Sequence, residues 1–285
     1  MTSQPLVVSR PLIIFGITGR MGQSLIRALR EGSPEGEGSP FQLRGAIASP
    51  GSLRLGQECA AEGQPTGVTI TADVAAALKP GAVAMDFSLG EAVAGHAQAC
   101  AAVGVPLLVG TTGFDAAARA ELERAAEKIA VLIAPNTSVG IAVLSQLVAQ
   151  AAVALGEGYD VEISEAHHRL KRDAPSGTAL SLGETVAHAR GRSLSEVAVY
   201  ERHGTHTPPL KPGSIGFSVV RAGDIVGEHT VTFAAGGERL EITHRATDRM
   251  TFARGALRAA AWLKGRPAGL YGMQDVLGLQ KKHGQ

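Results

Sequence analysis

The chain reads as an α/β protein, with a parallel sheet in its first half and a second, α+β domain after it. Three observations predict this. Short, continuously apolar runs alternate with helical patterns up to about residue 135, alternating strands follow, and an amphipathic helix comes last. The apolar runs, at 12–15, 42–48, 68–70, 83–87, 107–109 and 131–134, have the unbroken character of strands covered on both faces. After the first of them Met21, Leu25 and Leu29 recur four residues apart, which puts one apolar stripe on a crossover helix. Residues 31–40, EGSPEGEGSP, are expected to form a solvated loop before the second strand.

Beyond about residue 136 the pattern changes. Tyr159, Val161 and Ile163 alternate with Asp160, Glu162 and Ser164, as in a sheet covered on one side only. Runs 226–234 and 239–245 flank Gly236-Gly237, a hairpin turn in which glycine supplies positive φ without a steric cost. The second sheet is therefore expected to be open and mostly antiparallel or mixed. Segment 139–155 is apolar but interrupted by Ser145, Gln146 and Gln150, which predicts a buried amphipathic helix rather than a membrane span. A final helix over 250–264 carries Met250, Leu257, Ala261 and Trp262. Two domains follow, 1–135 and 136–249, with 250–285 packing back on the first.

Composition narrows the function. With 27 Lys+Arg against 26 Asp+Glu, the net charge of +1 gives no field that would gather a polyanion or an acidic membrane, so nucleic acid and membrane partners are not expected. Only Cys59 and Cys100 are present, with no C-x-x-C spacing, so a disulfide framework and a thiolate metal site are both disfavoured. No stretch near the N-terminus has the form of a signal peptide, and a cytoplasmic location is expected.

The first strand runs into Gly16-Ile17-Thr18-Gly19-Arg20-Met21-Gly22 at the start of a helix. There a missing Cβ lets backbone approach a pyrophosphate, whose charge meets free N–H groups and the positive end of the helix dipole. A Rossmann-like, dinucleotide-binding domain is the reading, although Thr18 stands where the commonest fingerprint has its middle glycine. Two more strand ends lie where such a sheet forms its ligand crevice: Gly110-Thr111-Thr112, and Ala134-Pro135-Asn136-Thr137. Thr111 and Asn136 are equally suited to capping helices. The second strand ends Ala48-Ser49 with no carboxylate to hold a ribose 2′-OH, while Arg44 and Arg54 lie nearby. NADPH or NADH is the expected cofactor, with a slight lean to NADPH.

The segment Glu165-Ala-His-His-Arg-Leu-Lys-Arg-Asp-Ala-Pro-Ser-Gly-Thr-Ala179 says most about chemistry. A strand ending at Glu165 delivers His167, His168 and Lys171 into a loop. Pro175 then opens a helix whose first turn offers the N–H groups of Ser176, Gly177 and Thr178 to a substrate carboxylate. Imidazole and ammonium groups beside an anion-binding turn suit proton transfer to a substrate that accepts a hydride. The plainer possibility is a helix capped by Asp173 or Ser176 beside a solvated basic loop. Zinc held by His203 and His206 with His167 and His168 is disfavoured, since adjacent histidines on extended chain point to opposite faces; no metal is expected.

These residues resemble the 4-hydroxy-tetrahydrodipicolinate reductase (dihydrodipicolinate reductase) family. Four segments carry the resemblance: 16–22, 109–114, 165–179, and 213–217 running into 221–230. It implies NAD(P)H-dependent reduction in diaminopimelate and lysine biosynthesis. His167 and Lys171 would transfer protons; His168, Gly177 and Thr178 would contact the carboxylates of a small dicarboxylate substrate. Residues 16–21 would hold the cofactor turn, with 110–112 and 134–137 on the nicotinamide side. Arg249 lies where some members bring a further cation. Ser49 replaces the acidic residue of several members, and Thr137 a bulkier side chain. Domain closure and a homotetramer assembled through the second sheet are implied too. An NAD(P)H sensor without turnover, or a reductase of another small carboxylate, are the alternatives.

Overall fold

The computed structural model describes residues 9–32, 39–204, 209 and 211–279. Most of the loop expected at 31–40, and His206, lie outside the described residues. Two units form: the described residues up to Ser138 together with those from Met250 on, and Val139–Arg249.

The first apolar run becomes β1 (Arg10–Phe15), fully buried from Leu12 to Phe15. Helix α1 (Arg20–Glu31) turns Gly22, Leu25, Ile26 and Ala28 inward, so the buried stripe starts one residue later than the Met21–Leu25–Leu29 spacing suggests. Then come β2 (Phe41–Ile47), β3 (Glu58–Ala61), β4 (Gln64–Thr71), the short α2 (Val74–Ala77), β5 (Val83–Asp86), α3 (Val93–Val103), β6 (Leu107–Val109), α4 (Ala116–Ala126) and β7 (Ala130–Ile133). The antiparallel pair of β3 and β4 extends the expected strand at 68–70. Much of it is solvent-facing and polar, with Glu58, Gln64 and Pro65 exposed, so no apolar run announces it.

The second unit opens with α5 (Val139–Leu155), which packs Ile141, Leu144, Val148 and Ala152 into one core with Val161, Ile163 and Phe233. Its other side leaves Val143, Leu147 and Val153 exposed, so burial is one-sided. Val139–Gly158 is by length and composition able to cross a membrane, with a mean hydropathy of 1.8. There follow β8 (Asp160–His167), α6 (Gly177–Ala189), α7 (Leu194–Val197), β9 (Ala198–Val199), β10 (Ile215–Arg221), β11 (Gly227–Ala235) and β12 (Glu238–Ala246). They form a mixed sheet in the order β12-β11-β8-β10-β9, in which β8 pairs parallel with β10 and antiparallel with β11. The β11–β12 hairpin turns on Gly236-Gly237, with Gly237 at φ +96° and Ala235 opposite Glu238.

The chain then returns to the first unit. Helix α8 (Met250–Leu263) lies against α1, burying Met250, Ala253 and Ala256, while Arg254 reaches Glu31 at 2.8 Å. Strand β13 (Gly269–Tyr271) and α9 (Met273–Val276) finish the described chain. The completed sheet has the order β13-β7-β6-β5-β1-β2-β4-β3, parallel throughout except for β3 against β4. This is an α/β protein with a Rossmann-like first unit.

The winding leaves β1 towards β2 on one side and resumes at β5 on the other, so the strand order reverses between β1 and β5. In open α/β sheets that reversal opens a crevice beyond the strand ends. Here Gly16 passes so close to the chain after β5 that a Cβ would lie 2.3 Å from the Phe87 carbonyl oxygen, and its φ is +78°. Gly22 lets α1 settle on the turn beneath it, where a Cβ would be 2.4 Å from the Ile17 oxygen. Gly22→Ala is therefore expected to destabilise the protein by about 2–3 kcal/mol, the usual cost of overpacking against backbone. Urea unfolding checks this: an unchanged midpoint would mean that α1 can shift off the turn freely.

Candidate active site

Two constellations emerge, one in each unit. In the first, every residue expected to meet a dinucleotide lies at a carboxyl end of the parallel sheet. Residues Gly16 to Met21 lie after β1, Ser49 after β2, Gly110 to Thr112 after β6, and Ala134 to Thr137 after β7. Helix α4 is capped by the Asp115 side chain and α6 by Ser176, but α1 begins at Gly19 with no side-chain cap and no acidic residue in its first turn. A helix start left uncapped presents N–H groups and a positive dipole end to an anion. Gly19 is itself exposed. The residues therefore fit a dinucleotide pyrophosphate.

Some of the expected residues point inward instead. Thr111 is buried, its hydroxyl donating to Asp86 Oδ1 at 2.9 Å. Thr137 is buried too and donates to the Phe252 carbonyl at 2.7 Å, fixing the strand end against α8. Asn136 Oδ1 accepts from the Ser138 amide at 2.9 Å, a local turn-forming bond. Ser49 is exposed.

In the second unit the strand runs two residues further than the sequence suggests. His167 is thus the last residue of β8 rather than part of the loop, and its ring faces inward with Val161, Ile163 and Glu165. Glu165 is the hub. Its Oε1 accepts from the Ser176 amide at 2.9 Å and Arg221 Nη2 at 2.7 Å; its Oε2 accepts from Arg221 Nη1 at 2.7 Å and His167 Nδ1 at 2.6 Å. Parallel pairing of β10 with β8 sets Arg221 directly beside His167. Arg221 also donates to the Asp173 carbonyl at 2.6 Å, holding the loop that carries Lys171, whose Nζ meets Asp173 Oδ2 at 2.8 Å.

Helix α6 starts at Gly177, two residues after Pro175, so the proline precedes the cap instead of opening the helix. Ser176 is the cap: its Oγ accepts from the Ala179 amide at 3.1 Å and lies 3.0 Å from His229 Nε2. With its own amide given to Glu165, Ser176 braces the turn and has no N–H left for a substrate. Gly177 and Thr178 form the first turn, Gly177 exposed and Thr178 half-buried, and His168 is half-buried after β8. Arg249 is exposed at the end of the unit. Among the described residues no group of three His, Cys, Asp or Glu could hold a metal.

Charge follows from these contacts. Burial pushes the Glu165 carboxyl up, but hydrogen bonds from Arg221, His167 and Ser176 outweigh it and hold it below the usual carboxylate range. For His167 burial is the largest influence and lowers the pKa; Glu165 pulls it back up, while the charges of Lys171 and Arg221 lower it further. The net effect is a ring that is neutral at neutral pH. Its Nδ1 hydrogen is held by Glu165, and its Nε2 lies where a Cβ on Gly227 would come within 3.1 Å. Beside it, edge-on at 5.1 Å, is His229, which burial and then the positive field of His167 bring down to about 3.

The family profile described as dihydrodipicolinate reductase, N-terminus, matches residues 10–137, and its C-terminus counterpart matches 140–277. The chain belongs to the dihydrodipicolinate reductase family. Among proteins similar to this family member, the 4-hydroxy-tetrahydrodipicolinate reductase of Thiobacillus denitrificans is 52% identical over 268 residues, 94% of this chain and 98% of that one. That of Bordetella parapertussis is 52% identical over 269 residues, 94% and 97% of the two chains. A solved structure, dipicolinate-bound dihydrodipicolinate reductase from Paenisporosarcina sp. TG-14, shares the fold with a TM-score of 0.70 at 21% identity, over 94% of this chain and 99% of that one.

For this dihydrodipicolinate reductase family member, sequence reasoning placed His167 and Lys171 in the site but gave no role to Glu165, Arg221 or His229. His229 could have been found, since it alternates in phase with Val231 and Phe233 and so faces the core. Arg221 could not, because its place depends on the register of two strands far apart in sequence. His229 also sets a pH dependence. Unfolded, it takes up a proton as pH falls through about 6.5; folded, not until about 3. The unfolded state binds more protons throughout that interval, so stability falls with falling pH, by on the order of 4 kcal/mol across it. His229→Gln is expected to lose clearly less stability between pH 7 and pH 4 than the wild type in matched denaturant titrations. Equal losses would show that the ring already titrates normally in the fold.

Proposed function

We propose that this protein reduces 4-hydroxy-tetrahydrodipicolinate to tetrahydrodipicolinate, with loss of water and at the expense of NAD(P)H, in the diaminopimelate route to lysine. The observation that carries the reading is the saturated Glu165 carboxylate, which joins a neutral imidazole, the first turn of α6 and, through Arg221, the loop that bears Lys171 within one small region. The first unit is assigned to the cofactor and the second to the substrate and to oligomer assembly. A bound nicotinamide supplies the hydride, which goes to C4 of the cyclic imine left when the 4-hydroxy group departs as water.

The chain's own residues do the rest. Lys171, held by Asp173, supplies the proton that C3 needs as electron density builds there; neutral His167 receives and returns protons through Nε2 while Glu165 keeps its Nδ1 hydrogen in place. His168 and the amides of Gly177 and Thr178 take the two substrate carboxylates, and the helix start adds its dipole. Ser176 acts by holding that turn. The uncapped start of α1 takes the pyrophosphate, with Gly110–Thr112 and Ala134–Thr137 lining the nicotinamide end. Ser49, with Arg44 or Arg54, suits a 2′-phosphate, which favours NADPH over NADH. The second sheet pairs hydroxyls across its outer face, Ser164 with Ser218 at 2.8 Å and Thr230 with Thr243 at 3.0 Å, and this face serves homotetramer assembly in the cytoplasm.

The direct experiment incubates the purified protein with NADPH and substrate freshly made by the preceding synthase. Absorbance at the reduced-nicotinamide band falls only when that substrate is present; oxidation without it, or none with it, sinks the assignment. Lys171→Ala is expected to lower kcat by about two to four powers of ten with some loss of substrate affinity. Wild-type turnover in that variant would remove Lys171 from the chemistry. Ser49→Asp should weaken NADPH more than NADH by setting a carboxylate against the 2′-phosphate. Equal weakening of both would place Ser49 away from the adenosine ribose.

A further inference from the structure

Strand β5 is wholly buried, yet it ends in a carboxylate. Asp86 has no exposed surface. Its Oδ1 accepts from the Ser88 amide at 2.9 Å, the Ser88 hydroxyl at 2.6 Å and the Thr111 hydroxyl at 2.9 Å, and its Oδ2 accepts from His96 Nδ1 at 2.8 Å. The Asp86 carbonyl oxygen accepts from the Gly110 and Thr111 amides at 2.8 and 3.1 Å. His96, on α3, stacks on Phe15 of β1 with ring centroids 4.0 Å apart and planes 11° from parallel. One residue thus ties together the chain after β5, the chain after β6, helix α3 and the last residue of β1. Burial works to raise the Asp86 pKa, but the bonds from His96 and Ser88 hold it below the ordinary range, so the group stays a carboxylate and an acceptor.

What it holds in place is functionally specific. In a doubly wound sheet a dinucleotide lies across the switch point, with its adenosine half over the β1–β2 side and its other half over the opposite strands. Those strands are β5 and β6, and the segment after β6 is Gly110–Thr112. That segment is pressed on the chain after β5: a Cβ on Gly110 would come 2.1 Å from the Phe87 ring. We propose that Asp86, with His96 behind it, is the positioning residue that sets the nicotinamide end of the crevice without itself touching the dinucleotide. The inference rests on the cofactor reading given above and adds to it two residues that the reaction scheme does not use.

Direct binding to the substrate-free protein tests it. NADPH and NADH would be titrated calorimetrically beside 2′-phospho-ADP-ribose and ADP-ribose, which keep the adenosine and pyrophosphate but lack the nicotinamide. Asp86→Ala leaves buried donors unpaired around the Gly110–Thr112 wall, so it is expected to weaken the complete dinucleotides about ten- to a hundred-fold and the truncated ones by less than about three-fold. Asp86→Asn should restore most of the affinity, since its amide oxygen can take the Ser88 and Thr111 donors and its NH2 can donate to His96 in the other tautomer. If Asp86→Ala does not fold, His96→Phe decides, because it keeps a ring on Phe15 but strips the donor from Oδ2; a selective loss of about ten-fold is then expected. Equal weakening of complete and truncated ligands, or no weakening, would overturn the role of Asp86 while leaving the cofactor reading intact. A wild type that binds none of the four ligands overturns both.

Discussion

A carboxylate removed from water has to find hydrogen-bond donors for both of its oxygens, and this requirement organises each half of the molecule. Asp86 and Glu165 both lie at or near the carboxyl end of a central strand, both are fully or almost fully buried, and both are saturated by donors from other elements. An unpaired charge in such a position would cost several kcal/mol. The donors are therefore not free to wander, and neither are the loops and helix starts that bear them. In the second unit this brings Arg221 from β10, Ser176 from the start of α6 and His167 from β8 to one point. Both acids are still paired within their sheets, and their side chains extend that order to the chain beyond the strand ends.

The same logic explains why chemistry is placed beside rigidity. Proton transfer works best when the ring that carries it has one tautomer and one orientation. A Glu165 with all its acceptor positions filled has no capacity to take a proton from His167, so the imidazole keeps its Nδ1 hydrogen, and the proton transfer proposed for this ring would run through the opposite nitrogen. Each cation beside the pair has its own acid: Arg221 belongs to Glu165, and Lys171 belongs to Asp173 on the loop. The contrast among helix starts is equally deliberate. At Asp115 and Ser176 a side chain takes one of the first amides of its helix, whereas at Gly19 no side chain does.

Much of this was legible in the amino-acid order. Parallel strands flanked by helices announce themselves through unbroken apolar runs, and a two-glycine hairpin through its flanking alternation, because hydrophobic burial and positive φ act locally. Strands β3, β9, β10 and β13 were not legible: β3 is half polar at the margin of a sheet, β9 and β13 are two and three residues long, and β10 carries no clear alternation. In the site, the histidines and Lys171 stand out as residue types, and the helix after them announces itself through Pro, Ser and Gly. The start of that helix was placed too early because Pro175 fits a first turn as well as it fits the residue before a cap. Arg221 and His96 were invisible because their partners are set by strand register and by the packing of α3, which no local pattern encodes. Asp86 left one trace, a charged residue closing an otherwise apolar four-residue strand.

One feature of the chain path has a bearing on how the protein comes into being. Strand β13 takes its place beside β7, with Gly269 opposite Ala130, and α8 covers α1 only after the whole of the second unit has been made. On a ribosome the first unit therefore emerges with one sheet edge bare and one helix face uncovered, while more than a hundred further residues are added. Loop-closure entropy grows only slowly with length, so the delay costs little in final stability. It costs time, since the pairing joins segments remote in sequence, and an open edge strand is a site for wrong partners during that time. The inserted unit, by contrast, draws all five strands of its sheet from 139–249 and needs no later segment to complete it.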